Sequence, residues 1–169
     1  NLMPGGQETF QSYGYGWANV SNTPFRLFKQ YDHEGGTRSP LLIHWPQGIA
    51  EHLQGSLIKE VCHVVDIMPT LLDIAEVSLE TQKPLPMEGR SFANAMRGEP
   101  VSQHDAIFWA HNKGAAVWED GWKLVSDDRG KNWELYYLPE DGTELKNLAS
   151  QNPEKVATLR DLHAKWMAR

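Results

Sequence analysis

Cys62 is the only cysteine in the chain, which excludes an internal disulfide and any metal site built on several thiolates. It lies in Lys59-Glu60-Val61-Cys62-His63-Val64-Val65, an apolar context expected to bury an inert thiol. No apolar run approaches the ~20 residues needed to span a bilayer, so no membrane helix is expected. Positive charge is in deficit as well. Sixteen Lys and Arg against 22 Asp and Glu leave a net charge of -6, which argues against general affinity for nucleic acid phosphates. Any site for an anion must therefore be a local cationic pocket. No His pair has the i, i+4 spacing with Glu of a zinc helix, and no Ser-His-Asp constellation stands out. What remains is the composition of a soluble globular protein, 40% apolar and 22% charged, long enough for one ordinary domain or two small ones.

The most informative stretch runs from Pro24 to Pro40 and feeds the apolar segment Leu41-Leu42-Ile43-His44-Trp45-Pro46. It reads as a loop entering a buried strand over 41–45. Gly35-Gly36 is expected to supply positive φ for a tight turn, Pro40 to fix the strand entrance and Pro46 to end it by removing a donor. Lys29 is then a cation carried on a loop beside a rigid element, a suitable place to meet an anionic ligand. Glu34 and Arg38 are expected to pair or to brace this loop. His33, four residues beyond Lys29, is a second candidate for ligand contact, whereas His44, His63 and His111 are assigned structural or solvent-facing roles.

Residues 1–24 are rich in Gly, Tyr, Asn and Ser, show no period of 2 or 3.6, and are expected to be irregular around Tyr13-Gly14-Tyr15-Gly16-Trp17. After a connection over 47–55, residues 56–61 read as a short extended segment. A wide apolar stripe over 64–77 predicts a helix from about Asp66 to Glu76, with Asp66 as its cap and its Met and Leu residues in a core. The Pro- and Gly-containing segment 81–100, including Pro84 and Pro86, reads as a linker around a short helix at 91–97. Four short strands follow, at 106–110, 115–119, 122–126 and 133–138, separated by turn formers that suit an antiparallel meander. Val156, Leu159, Leu162 and Trp166 then predict an amphipathic helix over 153–167 covering one face of the sheet. Trp109, Trp118, Trp122 and Trp133 either pack that sheet or offer a sugar-stacking face.

The spacing from Lys29 to Glu34-Gly35-Gly36, Arg38, Pro40 and Trp45-Pro46 resembles the substrate-lysine segment of the type I sulfatases, the arylsulfatase-like family. Val65-Asp66-Ile67-Met68-Pro69-Thr70-Leu71-Leu72-Asp73 follows in the family's order. So does Glu134-Leu135-Tyr136-Tyr137-Leu138 with Asp141, Glu144 and Asn147-Leu148-Ala149 behind it. The resemblance implies an α+β fragment: the end of an α/β, alkaline-phosphatase-like sulfatase domain, then a small antiparallel sheet packed by a C-terminal helix. The expected divisions are 1–80 as the tail of the catalytic domain, 81–104 as linker and 105–169 as the small subdomain. The chain opens at Asn1 and is expected to be the C-terminal piece of a longer protein.

The implied activity is hydrolysis of a sulfate ester, aryl or carbohydrate, with Lys29 contacting the sulfate and the leaving-group oxygen. Calcium and formylglycine are implied as cofactors of the longer protein, but no residue here matches their motifs; Cys62 is followed by His63-Val64-Val65, not by the C/S-x-P-x-R pattern. The fragment alone is accordingly expected to be inactive. Implied partners are a sulfated small molecule or glycan and the rest of the catalytic domain, with a periplasmic or secreted location. Two alternatives stay open on sequence: a phosphodiesterase or phosphonate hydrolase of the same superfamily, and a non-catalytic carbohydrate-binding module.

Overall fold

Asp120 and Gly121 both adopt positive φ, 48° and 80°, which is what a two-residue hairpin turn matching the twist of its strands requires. That turn sets the register between β2 (Ala115–Glu119) and β3 (Trp122–Ser126), paired antiparallel from Glu119 opposite Trp122 to Ala115 opposite Ser126. β3 pairs in turn with β4 (Glu134–Tyr137), and with β1 (Ile107–Trp109) the sheet is a meander in the order β1-β2-β3-β4. The two central strands have the expected bounds; β1 and β4 are each one residue shorter at both ends.

The computed structural model describes residues 5–9, 12, 14–77 and 87–169. Its packing divides the chain into two units, Asn1–Pro40 with Phe108–Arg169, and Leu41–Ile107. These packing units differ from the segments 1–80, 81–104 and 105–169 expected from sequence, because residues up to Pro40 pack with the sheet. Tyr13, Pro84 and Pro86 lie outside the described residues.

In the first unit the sheet is covered on both faces, so Ala115, Ala116 and Val117 are buried in succession instead of alternating. The side-chain period of 2 and the register put Ala116, Lys123, Val125 and Tyr136 on one face, and Val117, Leu124 and Leu135 on the other. A helix, Pro153–Met167, packs against β2 and β3; Pro at its first turn starts it, and Leu159 is fully buried. The N-terminal part of this unit departs from expectation. Gly14–Ser21 is helical (α1), and the side chain of Asn19 ties it to the backbone of Leu27. Glu34–Thr37 forms a single helical turn (α2).

The second unit holds two helices, α3 (Ile67–Ile74) and α4 (Ala93–Arg97), so the C-terminal helix is α5. Asp66 organises the entry to α3. Its carboxylate accepts His63 N at 2.7 Å, Arg90 N at 2.8 Å and the ring nitrogen of His104 at 2.7 Å. Asp66 is thus a buried hub tying three segments; it stands at the N-cap position expected, but its side chain makes no cap hydrogen bond to α3 because these three donors occupy it. The strand expected at 41–45 is absent. A strand needs a neighbour for its N–H and C=O groups, and no described strand pairs with this run, whose Leu42 is 93% exposed. For the same reason 56–61 is unpaired. Met68 and Leu71 of α3 are exposed, whereas Leu72 and Ile74 are part-buried, so the stripe read as core is only partly covered among the described residues. No helix among them is long and apolar enough to cross a membrane.

Candidate functional site

Lys123 occupies the middle of β3 and is completely buried. A lysine survives there only if its charge is met. Its ammonium lies 2.7 Å from Glu34 Oε1, 3.0 Å from Thr37 Oγ1 and 3.2 Å from Glu144 Oε1, and 5.3 Å from the centre of the Trp109 ring. Glu144 Oε2 also accepts the backbone N–H of Glu34 at 2.8 Å. Two buried carboxylates and one ammonium thereby fasten α2 onto the sheet face that α5 leaves open.

The segment leading into α2 carries Lys29. A β-turn closed by Tyr31 N to Phe28 O at 2.9 Å places Lys29 and Gln30 at its centre. The rings of Phe28 and Tyr31 meet edge to face at 5.4 Å beneath it. Leu27, at φ 66°, is held by its N–H to Asn19 Oδ1 at 3.0 Å and by its carbonyl to Asn22 Nδ2 at 2.8 Å. Lys29 itself is exposed and makes no hydrogen bond or ion pair with any described residue. Immediately after it, Gln30 and Tyr31 line a cavity of about 610 Å³ with Asn112, Lys113, Gly114 and Arg129 among the other lining residues.

A second polar group sits beside the first. Glu134 Oε2 accepts Arg26 Nη2 at 2.7 Å and His33 Nε2 at 3.1 Å, and the Tyr136 hydroxyl donates to the same oxygen. Burial raises the Glu134 pKa, but the hydrogen bonds from Tyr136 and His33 and the charge of Arg26 outweigh it, leaving the carboxyl below its ordinary value. Burial, with that hydrogen bond, pushes Tyr136 well above the ordinary phenol range. Asp32, 3% exposed, goes the other way: desolvation raises it despite a backbone hydrogen bond from His111 and the charges of His111, Lys123 and His33.

Of the residues singled out from sequence, Lys29 stands on an exposed turn and His33 is 2% exposed with its ring on Glu134. Arg38 reaches Glu34 at 3.5 Å, as expected of a bracing pair. Gly35 and Gly36 are helical residues, not a positive-φ turn. Their role is clearance: a Cβ on Gly35 would fall on the Arg26 carbonyl oxygen, and one on Gly36 on that of Tyr31. Cys62 is exposed, not buried, because its apolar neighbours find no cover among the described residues. Trp122 packs on Tyr137 at 5.0 Å and Trp133 on His163 at 6.1 Å. Among the described residues no group of three or more His, Cys, Asp or Glu could hold a metal ion.

Sequence reasoning missed the parts played by Arg26, Lys123, Glu134 and Glu144. One signal was available: Lys123 interrupts Trp122–Ser126 at a position whose neighbours on the same face are apolar. Nothing local marks its partners, which lie 89 residues away in the case of Glu34.

The family described as N-sulphoglucosamine sulphohydrolase, C-terminal, matches residues 25–168. An uncharacterised sulfatase of Schizosaccharomyces pombe is 31% identical, aligned over 96% of this chain and 30% of its own length. A sulfatase of Formosa agariphila is also 31% identical, over 80% of this chain and 27% of its own. A solved structure from work on glycosaminoglycan metabolism by Bacteroides thetaiotaomicron superposes with a TM-score of 0.68 at 23% identity, covering 86% of this chain and 32% of that one, and so shares its fold. The chain spans under a third of each of these relatives. It belongs to the N-sulphoglucosamine sulphohydrolase C-terminal family and is the C-terminal domain of a type I, arylsulfatase-like sulfatase family protein.

Proposed function

We propose that this chain supplies the substrate lysine of a sulfatase that hydrolyses aryl or carbohydrate sulfate esters, and that Lys29 is that lysine. The observation that supports the reading is the exposed ammonium of Lys29, unpaired among the described residues, at the centre of a β-turn whose flanks are fixed to the sheet. As the S–O bond breaks, negative charge grows on the bridging oxygen. A cation already in place stabilises that charge more than the ground state and needs no reorganisation at the moment of reaction. His33 is the second candidate for substrate contact; its buried ring, bonded to Glu134, favours support of the turn instead.

Family membership implies calcium and a formylglycine nucleophile in the longer protein. Among the described residues no group fits as their ligands: the buried carboxylates Glu34 and Glu144 already face Lys123 and Glu134 already faces Arg26. This chain's part is to bind and orient the ester, and alone it is inactive. Its partners in this reading are the rest of the catalytic domain and a sulfated small molecule or glycan, in a periplasmic or secreted setting.

The test is Lys29→Ala in the full-length protein, assayed on a chromogenic aryl sulfate. Loss of one group that stabilises developing charge predicts a fall in kcat of about 10²–10³-fold with the fold retained. Wild-type turnover by that variant would remove the assignment.

A further inference from the structure

Lysine is a poor positioning element by itself, because its ammonium ends a flexible stem of four methylenes. Aiming it at a developing charge requires that the backbone beneath it be fixed, since a displacement of about 1 Å in a catalytic group costs about 10²-fold in rate. What fixes the Lys29 turn is therefore a question separate from what Lys29 does.

One oxygen answers most of it. Glu134 Oε2, on β4, holds Arg26 on the N-terminal side of the turn at 2.7 Å and His33 on the C-terminal side at 3.1 Å. The segment between them is a loop closed at its base by a single carboxylate, with Lys29 near its tip. Tyr136, two residues along the same strand, donates to that oxygen too, so the carboxylate is held in turn by the sheet. The guanidinium of Arg26 also lies 5.8 Å from the centre of the Tyr136 ring. Beyond His33 the chain enters α2, which Lys123 and Glu144 fasten down independently.

We propose that Glu134 is the positioning residue for Lys29: by gathering Arg26 and His33 on one oxygen, it closes the loop and sets where the ammonium stands. It touches no substrate and acts only through the turn. This inference rests on the reading of Lys29 as the residue that contacts the sulfate and the leaving group.

A double-mutant cycle in the full-length protein tests it, using aryl sulfates whose phenols differ in acidity. If Lys29 assists the leaving group, Lys29→Ala makes kcat/KM fall more steeply as the phenol becomes less acidic. Glu134→Ala should then lower kcat/KM about 10–100-fold and steepen the same dependence. In the Lys29→Ala background it should change kcat/KM by less than about 2-fold, because the group it positions is gone. Glu134→Gln, which keeps the volume and an acceptor, gives the same pattern at smaller amplitude and serves if the alanine variant does not fold. A Glu134 variant with wild-type rate and wild-type leaving-group dependence overturns the proposal, as does a loss that multiplies with that of Lys29→Ala. If Lys29→Ala itself behaves as wild type, the reading of Lys29 fails and this inference falls with it, an outcome distinct from failure of Glu134 alone.

Discussion

Lys123 Nζ and Glu34 Oε1 lie 2.7 Å apart in a buried ion pair that joins the centre of the sheet to the helical turn following Lys29. Breaking such a pair leaves an uncompensated charge inside, here two carboxylates, Glu34 and Glu144, facing each other across the vacated position. Lys123→Met is expected to lower stability by about 3–5 kcal/mol. Adding Glu34→Gln and Glu144→Gln should recover a large part of it, since no unpaired buried charge then remains at that position. Urea unfolding followed by tryptophan fluorescence measures both, and an unchanged midpoint for Lys123→Met would contradict the buried pair.

Asp32 gives a pH dependence of opposite sign to that of a paired carboxylate. Its folded-state pKa lies above the reference value of 3.8, first because of desolvation. The folded chain therefore holds the proton more tightly than the unfolded one, and stability falls as pH rises from the unfolded value through the folded one. Asp32→Asn should raise the melting temperature at pH 7 and leave it unchanged near pH 3, where both states are protonated. Glu134, held below 4.5, contributes stability that is present above that value and disappears as pH falls through its folded pKa. Melting temperatures across pH 3–8 for wild type and Asp32→Asn separate the two contributions.

Gly36→Ala tests clearance independently of charge. The added methyl would collide with the backbone carbonyl of Tyr31 and approach that of Phe28, the two residues that close the Lys29 turn. Overpacking against backbone predicts a loss of about 1–3 kcal/mol, with a lower kcat in the full-length protein. A variant with wild-type stability and activity would show that the turn can yield.

Asp128 shapes the connection from β3 to β4. Its Oδ1 accepts Lys131 N at 3.0 Å, Asn132 N at 2.9 Å and Ser126 Oγ at 2.8 Å. Hydrogen bonds from the backbone and side chain of Asn132 lead in bringing its pKa down to about 2. A carboxyl-carbon titration by NMR should find its midpoint there; a midpoint near 3.8 would mean the loop is open in solution.

The meander and α5 were legible in the sequence because their determinants are local. Glu119-Asp120-Gly121 names a hairpin turn, and Val156, Leu159, Leu162 and Trp166 mark a helical face within a few residues of one another. Leu41–Trp45 was misread because the same apolar run is a strand only when a neighbour supplies its hydrogen bonds, and no short window contains the neighbour. The helix at Gly14–Ser21 escaped notice because its two glycines and its scattered Tyr15, Trp17 and Val20 carry no helical apolar period. At the site, the proposal for Lys29 rests on the spacing of the residues after it, which a short window contains. The clamp beneath it was not legible in this way, since Arg26 and Glu134 stand 108 residues apart and Glu34 and Glu144 110 apart, a distance over which no period survives.

Those separations also order the assembly of the unit in time. Two-residue hairpins close cheaply, whereas the entropy of closing a loop grows with the chain between the contacts, so β2 and β3 are poised to pair well before residues 26–34 find them. The carboxylates that hold the Lys29 turn become useful only once the sheet exists to present Lys123 and Tyr136. The Lys29 turn would then reach its final place at the end of folding, as the last long-range polar contacts form.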